Sequence, residues 1–319
     1  MQDTCEKRMF ENLIGSKWLT FDRLHAVILL SEAGSLIGAA KGDPVVASRL
    51  SHRLGELSRF FGVALTMRAG RTLNLTQAGE ALARLARAQF LGIQAFRDGA
   101  MGVAPAYIIG AGDNLMQWLL VPAIGRIRRD RNLVRLTLCN LRTQSIVERL
   151  KERRIDFGVV RADALEDPLE QVHICEQKYA VFVPRRLMPS RGVLSLEEAL
   201  LKSPHAAIAG EGQLIERLRG LAGKMGGKFV PELICDSIGQ CLAAVRTGAF
   251  AAVLPVQAWR GGSAQECVVV EDESLEALSR VLVLAWHPRT LEVIGAAAVR
   301  MQRLLADALK EAGQGAVAM

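Results

Sequence analysis

The sequence predicts an α/β protein in which an N-terminal winged helix-turn-helix and a long helix precede a larger α/β region. Two observations predict the first part: a capped amphipathic helix between Gly42 and Gly62, and two arginine-bearing strand segments directly after it. One observation predicts the second part. From Ala106 onward, short apolar strands alternate with helices, a pattern typical of a parallel sheet covered by helices. The length of 319 residues suggests two or three domains.

The segment from Gly42 to Gly62 has signals for the start and the end of a helix. Asp43 can accept hydrogen bonds from the first turn, Pro44 suits the first helical position, and Gly62 suits the left-handed residue that ends a helix. An inner apolar stripe is predicted from Leu50, Leu54, Leu57 and Phe61. The opposite face is predicted to carry Val45, Ser48, Arg49, His52, Glu56 and Arg59. On its own, such a face favours an ordinary solvated helix.

The neighbours of this helix change its interpretation. A helix from Thr20 to Gly34 and a short helix at 35–41 precede it, which gives the helix-turn-helix arrangement whose second helix enters the major groove. Strand segments at 63–68 and 72–75 form a predicted wing. Between residues 49 and 71 the only acid is Glu56, against five arginines: Arg49, Arg53, Arg59, Arg68 and Arg71. This clustered positive charge indicates contact with duplex DNA.

Thr76 is predicted to cap a long helix that runs to about Met101. Its side chains at mixed spacings of three and four residues predict a seam for a partner helix: Ala78, Leu82, Leu85, Gln89, Ile93 and Phe96. We interpret it as a dimerisation helix, and the alternative is a helix packed inside the monomer. Residues 102–105 form the predicted hinge.

The region after the hinge predicts eight strands and four helices. The strands are 106–111, 133–139, 155–160, 177–184, 205–209, 228–234, 248–255 and 279–286, and the helices are 115–129, 145–153, 237–247 and 291–309.

Composition and the absence of known motifs argue against several classes of function. The net charge of +7 fits a phosphate-bearing partner as well as it fits simple solubility, and 5% aromatic residues argue against a single-strand binder. No nucleophile elbow, phosphate loop, dinucleotide fingerprint or zinc spacing occurs, so we predict neither an enzyme nor a metal or other cofactor. The six scattered cysteines indicate reduced thiols in a cytoplasm, with Cys235 and Cys241 as an alternative redox pair. Neither a signal sequence nor a membrane-spanning run is recognised.

Several weak motifs in a fixed order resemble the LysR-type transcriptional regulators over residues 19–309. In the N-terminal part they are Gly34-Ser35, Ala39-Ala40, Leu57, Gly62, Leu65, the wing arginines, and Leu75-Thr76-Gln77-Ala78-Gly79. In the α/β part they lie at 119–124, 134–138, 154–160 and 244–255. The recognition helix departs from the family pattern, because Val46-Ala47 and Ser51-His52 stand where the family usually has Ser-Gln and Ser-Arg. We therefore expect Ser48, Arg49 and His52 to take over groove contacts.

The resemblance implies a two-lobed effector domain similar to periplasmic binding proteins, with crossings between lobes near 161–166 and 266–272. Ligand would lie in the cleft, at strand ends and helix N-termini. The predicted effector residues are Asp113, Asn114, Thr143, Gln144, Gly210, Glu211 and Ser237. Helix capping is an equally good interpretation of Asp113 and Ser237. Asp113, Glu211 and Asp236 would repel an anion, so the charge of the effector stays open.

These observations predict five segments and one function. The segments are an extension at 1–18, a DNA-binding domain at 19–75, a linker helix and hinge at 76–104, lobe 1 at 105–165 and 266–319, and lobe 2 at 166–265. The function is a regulator that binds duplex DNA as a homodimer or homotetramer, under the control of a small molecule. The predicted DNA contacts are Val45, Ser48, Arg49, Ser51, His52, Arg53, Arg68 and Arg71. RNA polymerase is a candidate partner. The alternatives are a repressor without an effector and, as the weaker one, a small-molecule-binding or enzymatic α/β protein.

Overall fold

The computed structural model describes residues 16–69, 72–129, 134–190, 194–208, 212–259 and 266–314, together with residues 13 and 192. The chain divides into two compact units. One contains the residues up to Val103 and Glu292–Ile294, and the other contains Ala104–Leu291 and the residues from Gly295 onward. None of the helices in these described ranges combines the length and the apolar composition needed to cross a bilayer.

The N-terminal unit is a winged helix-turn-helix followed by a long helix. Its elements are α1 (Phe21–Ala33), α2 (Leu36–Ala39), α3 (Pro44–Phe61), β1 (Thr66–Ala69), β2 (Thr72–Leu75) and α4 (Gln77–Ala100). Leucines of α3 pack with Val27 and Leu30 of α1 in one buried cluster, so the predicted inner stripe builds the core. β1 and β2 pair antiparallel as the wing. The wing strand begins at Thr66, three residues later than predicted, and Arg71 at its predicted tip lies outside the described residues.

The second unit begins with an α/β lobe. Its elements are β3 (Ala106–Ala111), α5 (Asp113–Leu115), a π-helical stretch (Met116–Leu120), α6 (Val121–Arg129), β4 (Arg135–Asn140), α7 (Thr143–Lys151), β5 (Phe157–Arg161), β6 (Glu170–Gln177), β12 (Arg280–Trp286), α11 (Pro288–Ile294) and α12 (Ala296–Gln314). The strands form one sheet in the order β4-β3-β5-β12-β6. β3 runs parallel to β4 and β5, whereas β12 is antiparallel to both of its neighbours.

The second lobe is built from the middle of the sequence. Its elements are β7 (Tyr179–Pro184), α8 (Leu196–Leu201), β8 (Ala206–Ile208), α9 (Gly212–Lys224), β9 (Leu233–Cys235), α10 (Ile238–Arg246), β10 (Ala252–Pro255) and β11 (Cys267–Val270). β7 lies between β10 and β11, and the parallel pair β8-β9 joins this sheet through a bridge from His205 to Ala251. Buried side chains pack on both faces of β7, which explains its continuous apolar sequence.

The predicted crossing points between the lobes are wrong. β6, which the sequence assigned to the second lobe, pairs with β12 in the first, so the chain first crosses at Lys178 between β6 and β7. β11 pairs with β7 in the second lobe, so the return crossing precedes Arg280 instead of lying at 266–272. Because β6 and β7 follow each other almost without a break, hydrophobic alternation alone does not show that they belong to different sheets.

Other boundaries also change. The predicted helix 115–129 contains the π-helical stretch, and the predicted closing helix 291–309 is two helices divided at Gly295, whose φ is 73°. Helices α8 and α9 and strands β6 and β11 were not predicted.

Candidate nucleic-acid interface and ligand cavity

The recognition helix α3 starts and ends where the sequence predicts. The Oδ1 atom of Asp43 accepts hydrogen bonds from the backbone N–H groups of Val45 and Val46 at 2.8 and 3.2 Å, and Gly62 is left-handed with φ 67°. The Asp43 side chain pairs two N–H groups that the start of a helix would otherwise leave to water, so it fixes where α3 begins.

The outer face of α3 lies beside the first turn of α1. A concave surface of about 580 Å³ has a polar lining: Thr20, Asp22, Arg23, Ser48, Arg49, His52, Arg53 and Glu56. Four of the predicted DNA-contacting residues therefore meet in one place. Val45 and Ser51 are also exposed on α3, and Arg68 is exposed on the wing.

Two residues of α3 do not lie on the side of the helix that the sequence predicts for them. Glu56, assigned to the outer face, is only 7% exposed and accepts a hydrogen bond from Nε of Arg23 at 2.6 Å. The Arg23 guanidinium holds the pKa of this carboxyl below its ordinary value. Phe61, assigned to the inner stripe, is 37% exposed and makes an edge contact with Phe60. The helix ends at Phe61, so its side chain lies beyond the core formed by α1.

Arg53 has an ion-pair partner within the unit, while Arg49 has none in the described ranges. The Nη2 atom of Arg53 lies 3.6 Å from Oδ2 of Asp22. His52 is largely exposed, with Nδ1 3.6 Å from Oε2 of Glu56. The exposed side chains of α3 with cationic or hydrogen-bonding groups therefore include Ser48, Arg49, Ser51 and His52.

Trp18 supports the same face from outside the predicted domain. Its ring lies 5.7 Å from the guanidinium carbons of both Arg23 and Arg59, and 5.4 Å from Nζ of Lys17. Such contacts restrain cations near the start of α1. Trp18 falls in the predicted extension at 1–18, and the sequence carries no local signal for these contacts.

Helix α4 is attached to the wing at one end and exposes an apolar seam farther along. Thr76 accepts a hydrogen bond from Gly79 N at 3.1 Å and donates one to the Ala64 carbonyl at 2.7 Å. On the predicted seam, Leu85, Ile93 and Phe96 are 49%, 51% and 79% exposed. An exposed apolar stripe of this kind indicates an interface with another molecule.

The second unit contains a cavity of about 630 Å³ between its two lobes. Five predicted effector residues line it: Asp113, Asn114, Thr143, Gln144 and Ser237. Gly210 and Glu211 lie outside the described residues. The sequence analysis missed several other lining residues because their strands meet only in the folded sheet: Asn140, Val159, Arg161, Gln177, Tyr179, Ile208, Arg280 and Leu282.

Two of the lining residues already have hydrogen bonds within the protein. The Ser237 side chain accepts a hydrogen bond from Gln240 N at 3.2 Å, so it caps α10 as the capping interpretation states. Asp113 does not cap its helix; its Oδ2 accepts a hydrogen bond from the Gln117 side chain at 3.1 Å. Both helices present their first turns to the cavity.

The titratable side chains buried outside the cavity are packed in the protein interior. His205 donates from Nε2 to the Ala199 carbonyl at 2.9 Å and packs on Phe229, and burial lowers its pKa to about 4. Cys235 and Cys241 are both buried, and burial raises the pKa of Cys241 to about 12. A thiol of this kind stays protonated, which favours ordinary buried cysteines over a redox pair. The described residues include no group of three side chains placed to hold a metal ion.

Comparison with known families matches both units. The model described as "LysR substrate binding domain" matches residues 103–308, and "Bacterial regulatory helix-turn-helix protein, lysR family" matches residues 21–80. The chain belongs to the LysR family. The resemblance inferred from the sequence is therefore confirmed, and the family consists of bacterial transcriptional regulators.

Relatives and solved structures agree with membership of the LysR family. The regulator MetR of Haemophilus influenzae is 31% identical over 176 residues, which are 51% of this chain and 57% of MetR. A full-length OxyR variant from Pseudomonas aeruginosa has a TM-score of 0.66 at 17% identity, covering 93% of this chain and 97% of that one. Full-length LysG from Corynebacterium glutamicum has a TM-score of 0.65 at 18% identity, covering 92% and 99%. These structures confirm the predicted fold class, a helix-turn-helix followed by an α/β effector domain.

Proposed function

We propose that this LysR-family protein binds duplex DNA through α3 and the wing, as a homodimer or homotetramer, and regulates transcription in the cytoplasm. The observation that carries the proposal is the outer face of α3, where Arg49 and His52 point outward beside the first turn of α1. A helix of this width fits the major groove, and arginine bonds guanine through two donors. The wing, with Arg68, reaches the neighbouring backbone.

The proposal includes further assignments. Residues 19–75 are the DNA-binding domain and 76–104 the linker helix and hinge. A small molecule binds in the cavity between the lobes, RNA polymerase is a partner at the promoter, and the protein catalyses no reaction, since its sequence carries none of the nucleophile, phosphate or dinucleotide motifs named above. A repressor that responds to no effector is the second candidate.

Replacing Arg49 or His52 with alanine should weaken binding to the preferred DNA site and change the sequence preference. We expect a loss of roughly tenfold to a hundredfold for Arg49→Ala, the range of one bidentate base contact, and a smaller loss for His52→Ala. The measurement is a salt-dependent gel shift on the DNA upstream of the protein's own gene. Arg97→Ala, which removes the same charge from α4, is the control and should retain the preference.

Two results would reject this assignment. If both variants kept the wild-type sequence preference, α3 would not read bases through these side chains. If the wild-type protein bound all fragments equally, the proposed function itself would fail.

Placing a carboxylate on the seam of α4 should separate the subunits. Phe96→Asp puts a charge where an apolar side chain is 79% exposed, and burying that charge against a second copy of the helix is unfavourable. We expect smaller particles by light scattering and at least about tenfold weaker DNA binding, because two half-sites are no longer joined. Gln94→Glu adds a charge away from the seam and should keep the wild-type assembly. If Phe96→Asp assembled as the wild type does, the proposal that this seam joins the subunits would be wrong.

A further inference from the structure

One lining residue of the cavity has hydrogen-bonding groups that the protein does not use. The Nε and Nη2 atoms of Arg280 are buried and have no hydrogen-bond partner in the described part of the chain. Leaving buried donors unpaired is unfavourable, and more so when they are charged. Arg280 is one of the residues that line the cavity. We infer that Arg280 binds the carboxylate of a small anionic effector, an inference that rests on the proposed function of this cavity.

The charges around Arg280 support an anion at this position. The cavity lining includes the guanidinium groups of Arg142, Arg161 and Arg280, and the carboxylates of Asp113 and Asp236. Arg161 has a partner, because its Nε lies 3.5 Å from Oδ1 of Asp163. The Asp113 carboxylate accepts a hydrogen bond from Gln117. Arg280 is thus the lining cation with buried, unpaired donors, and a planar guanidinium matches a carboxylate through two parallel hydrogen bonds.

The apolar residues that line the cavity indicate the rest of the ligand. Val159, Leu282 and Ile208 are apolar and come from both lobes. A cavity of about 630 Å³ is in the range that holds a small molecule. We therefore expect a carboxylic acid with a short apolar body rather than inorganic phosphate or sulfate.

Arg280 also lies where the two connections between the lobes meet. It is the first residue of β12 and pairs in register with Gln177, the last residue of β6 before the first crossing. Tyr179, just after that crossing, donates from its hydroxyl to Oε1 of Gln177 at 3.5 Å. A carboxylate on Arg280 touches the strand ends that join the lobes, so its affinity depends on how the lobes are arranged. That dependence is what a ligand needs in order to shift an equilibrium between two arrangements.

The test uses thermal melting of the full chain with probe compounds at millimolar concentration. The probes are propionate, benzoate and succinate, each beside its uncharged amide, together with sulfate and phosphate. We expect at least one carboxylate to raise the melting temperature of the wild type, while its amide and the inorganic anions do not. In Arg280→Gln the shift should disappear, with affinity at least tenfold weaker by calorimetry, and Arg280→Lys should retain part of it. The matched control is Arg303→Gln, an exposed change on α12 outside the cavity, which should respond as the wild type does.

A second readout separates ligand binding from a structural role. Without probe, Arg280→Gln should melt at the same temperature as the wild type or above it, because an unpaired buried charge is removed. A lower melting temperature would indicate that Arg280 holds the lobes together, and would overturn the inference. So would a carboxylate shift that persists in Arg280→Gln, equal binding of acid and amide, or no shift with any acid. The gel shift without probe is run in parallel: intact DNA binding with no carboxylate response rejects this inference alone, whereas absent DNA binding rejects the proposed function.

Discussion

Gly79→Ala should unfold the N-terminal unit and abolish DNA binding. A Cβ atom at this position would lie 2.1 Å from the carbonyl oxygen of Leu65 and 3.0 Å from a methyl group of Leu75. The carbonyl cannot easily move, because it accepts the Thr76 N–H at 3.0 Å and the Leu65 side chain is buried in the core. The first turn of α4 must therefore separate from the start of the wing.

We expect this change to destabilise the N-terminal unit by more than about 4 kcal/mol, the size of the largest single-residue effects. Hydrogen exchange of the full chain, read by mass spectrometry, would show lost protection in α1 and α3 and normal protection in β3 and β12. Gly99→Ala is the control on the same helix: nothing lies within 4 Å of its added methyl group, and alanine favours helix. Wild-type protection of α1 and α3 in Gly79→Ala would show that the backbone is less closely packed here than the structure indicates.

Asp156→Asn should stabilise the α/β unit at neutral pH but not in acid. Burial raises the pKa of Asp156 to about 6 from its ordinary 3.8, although Ile108 N donates to its Oδ2 at 2.7 Å. The folded protein therefore holds the proton more tightly than the unfolded chain does. Between pH 4 and 6 the wild type loses stability as pH rises, and above pH 6 the loss is complete.

The full pKa difference corresponds to about 3 kcal/mol, and we expect about 1–3 kcal/mol because the residue is only half-buried. The asparagine keeps an oxygen that accepts the Ile108 N–H and carries no charge. Denaturant unfolding of both proteins at several pH values would show curves that coincide near pH 4 and diverge toward pH 7. A difference independent of pH would mean that Asp156 acts through packing rather than through its charge. Asp163→Asn, an exposed change in the same lobe, is the control.

Local signals in the sequence were sufficient to predict where the recognition helix begins and ends. Asp43, Pro44 and Gly62 fix its ends through contacts within a few residues, and these can be read directly. The position of Glu56 could not be read in this way. Glu56 lies on the predicted polar face of the helix. Its carboxylate can be buried only because α1 brings Arg23 within hydrogen-bonding distance.

Some residues of the cavity can also be predicted from local sequence, whereas others depend on contacts between distant parts of the chain. Asp113, Thr143 and Ser237 follow strands and begin helices, so spacing predicts their position at the cleft. Arg280 has no such signal, because it begins an ordinary apolar strand more than one hundred residues after Gln177, its partner in the sheet. From the sequence, the carboxylates predicted at the cleft leave the charge of the effector open. The buried Arg280 guanidinium adds a positive charge that favours an anionic effector.

The place of β12 in the sheet determines the order in which the chain can fold during synthesis. The helix-turn-helix, the wing and α4 are complete once residue 100 has left the ribosome, and their core is made within that segment. β12 lies between β5 and β6, so β6 lacks its partner in this sheet, and β5 lacks one of its two, until residues 280–286 are made. Throughout that interval the nascent α/β region carries open strand edges, which are prone to pair with other chains. The DNA-binding unit can therefore complete its core early in synthesis, whereas the α/β unit cannot complete its sheet until β12 has been made.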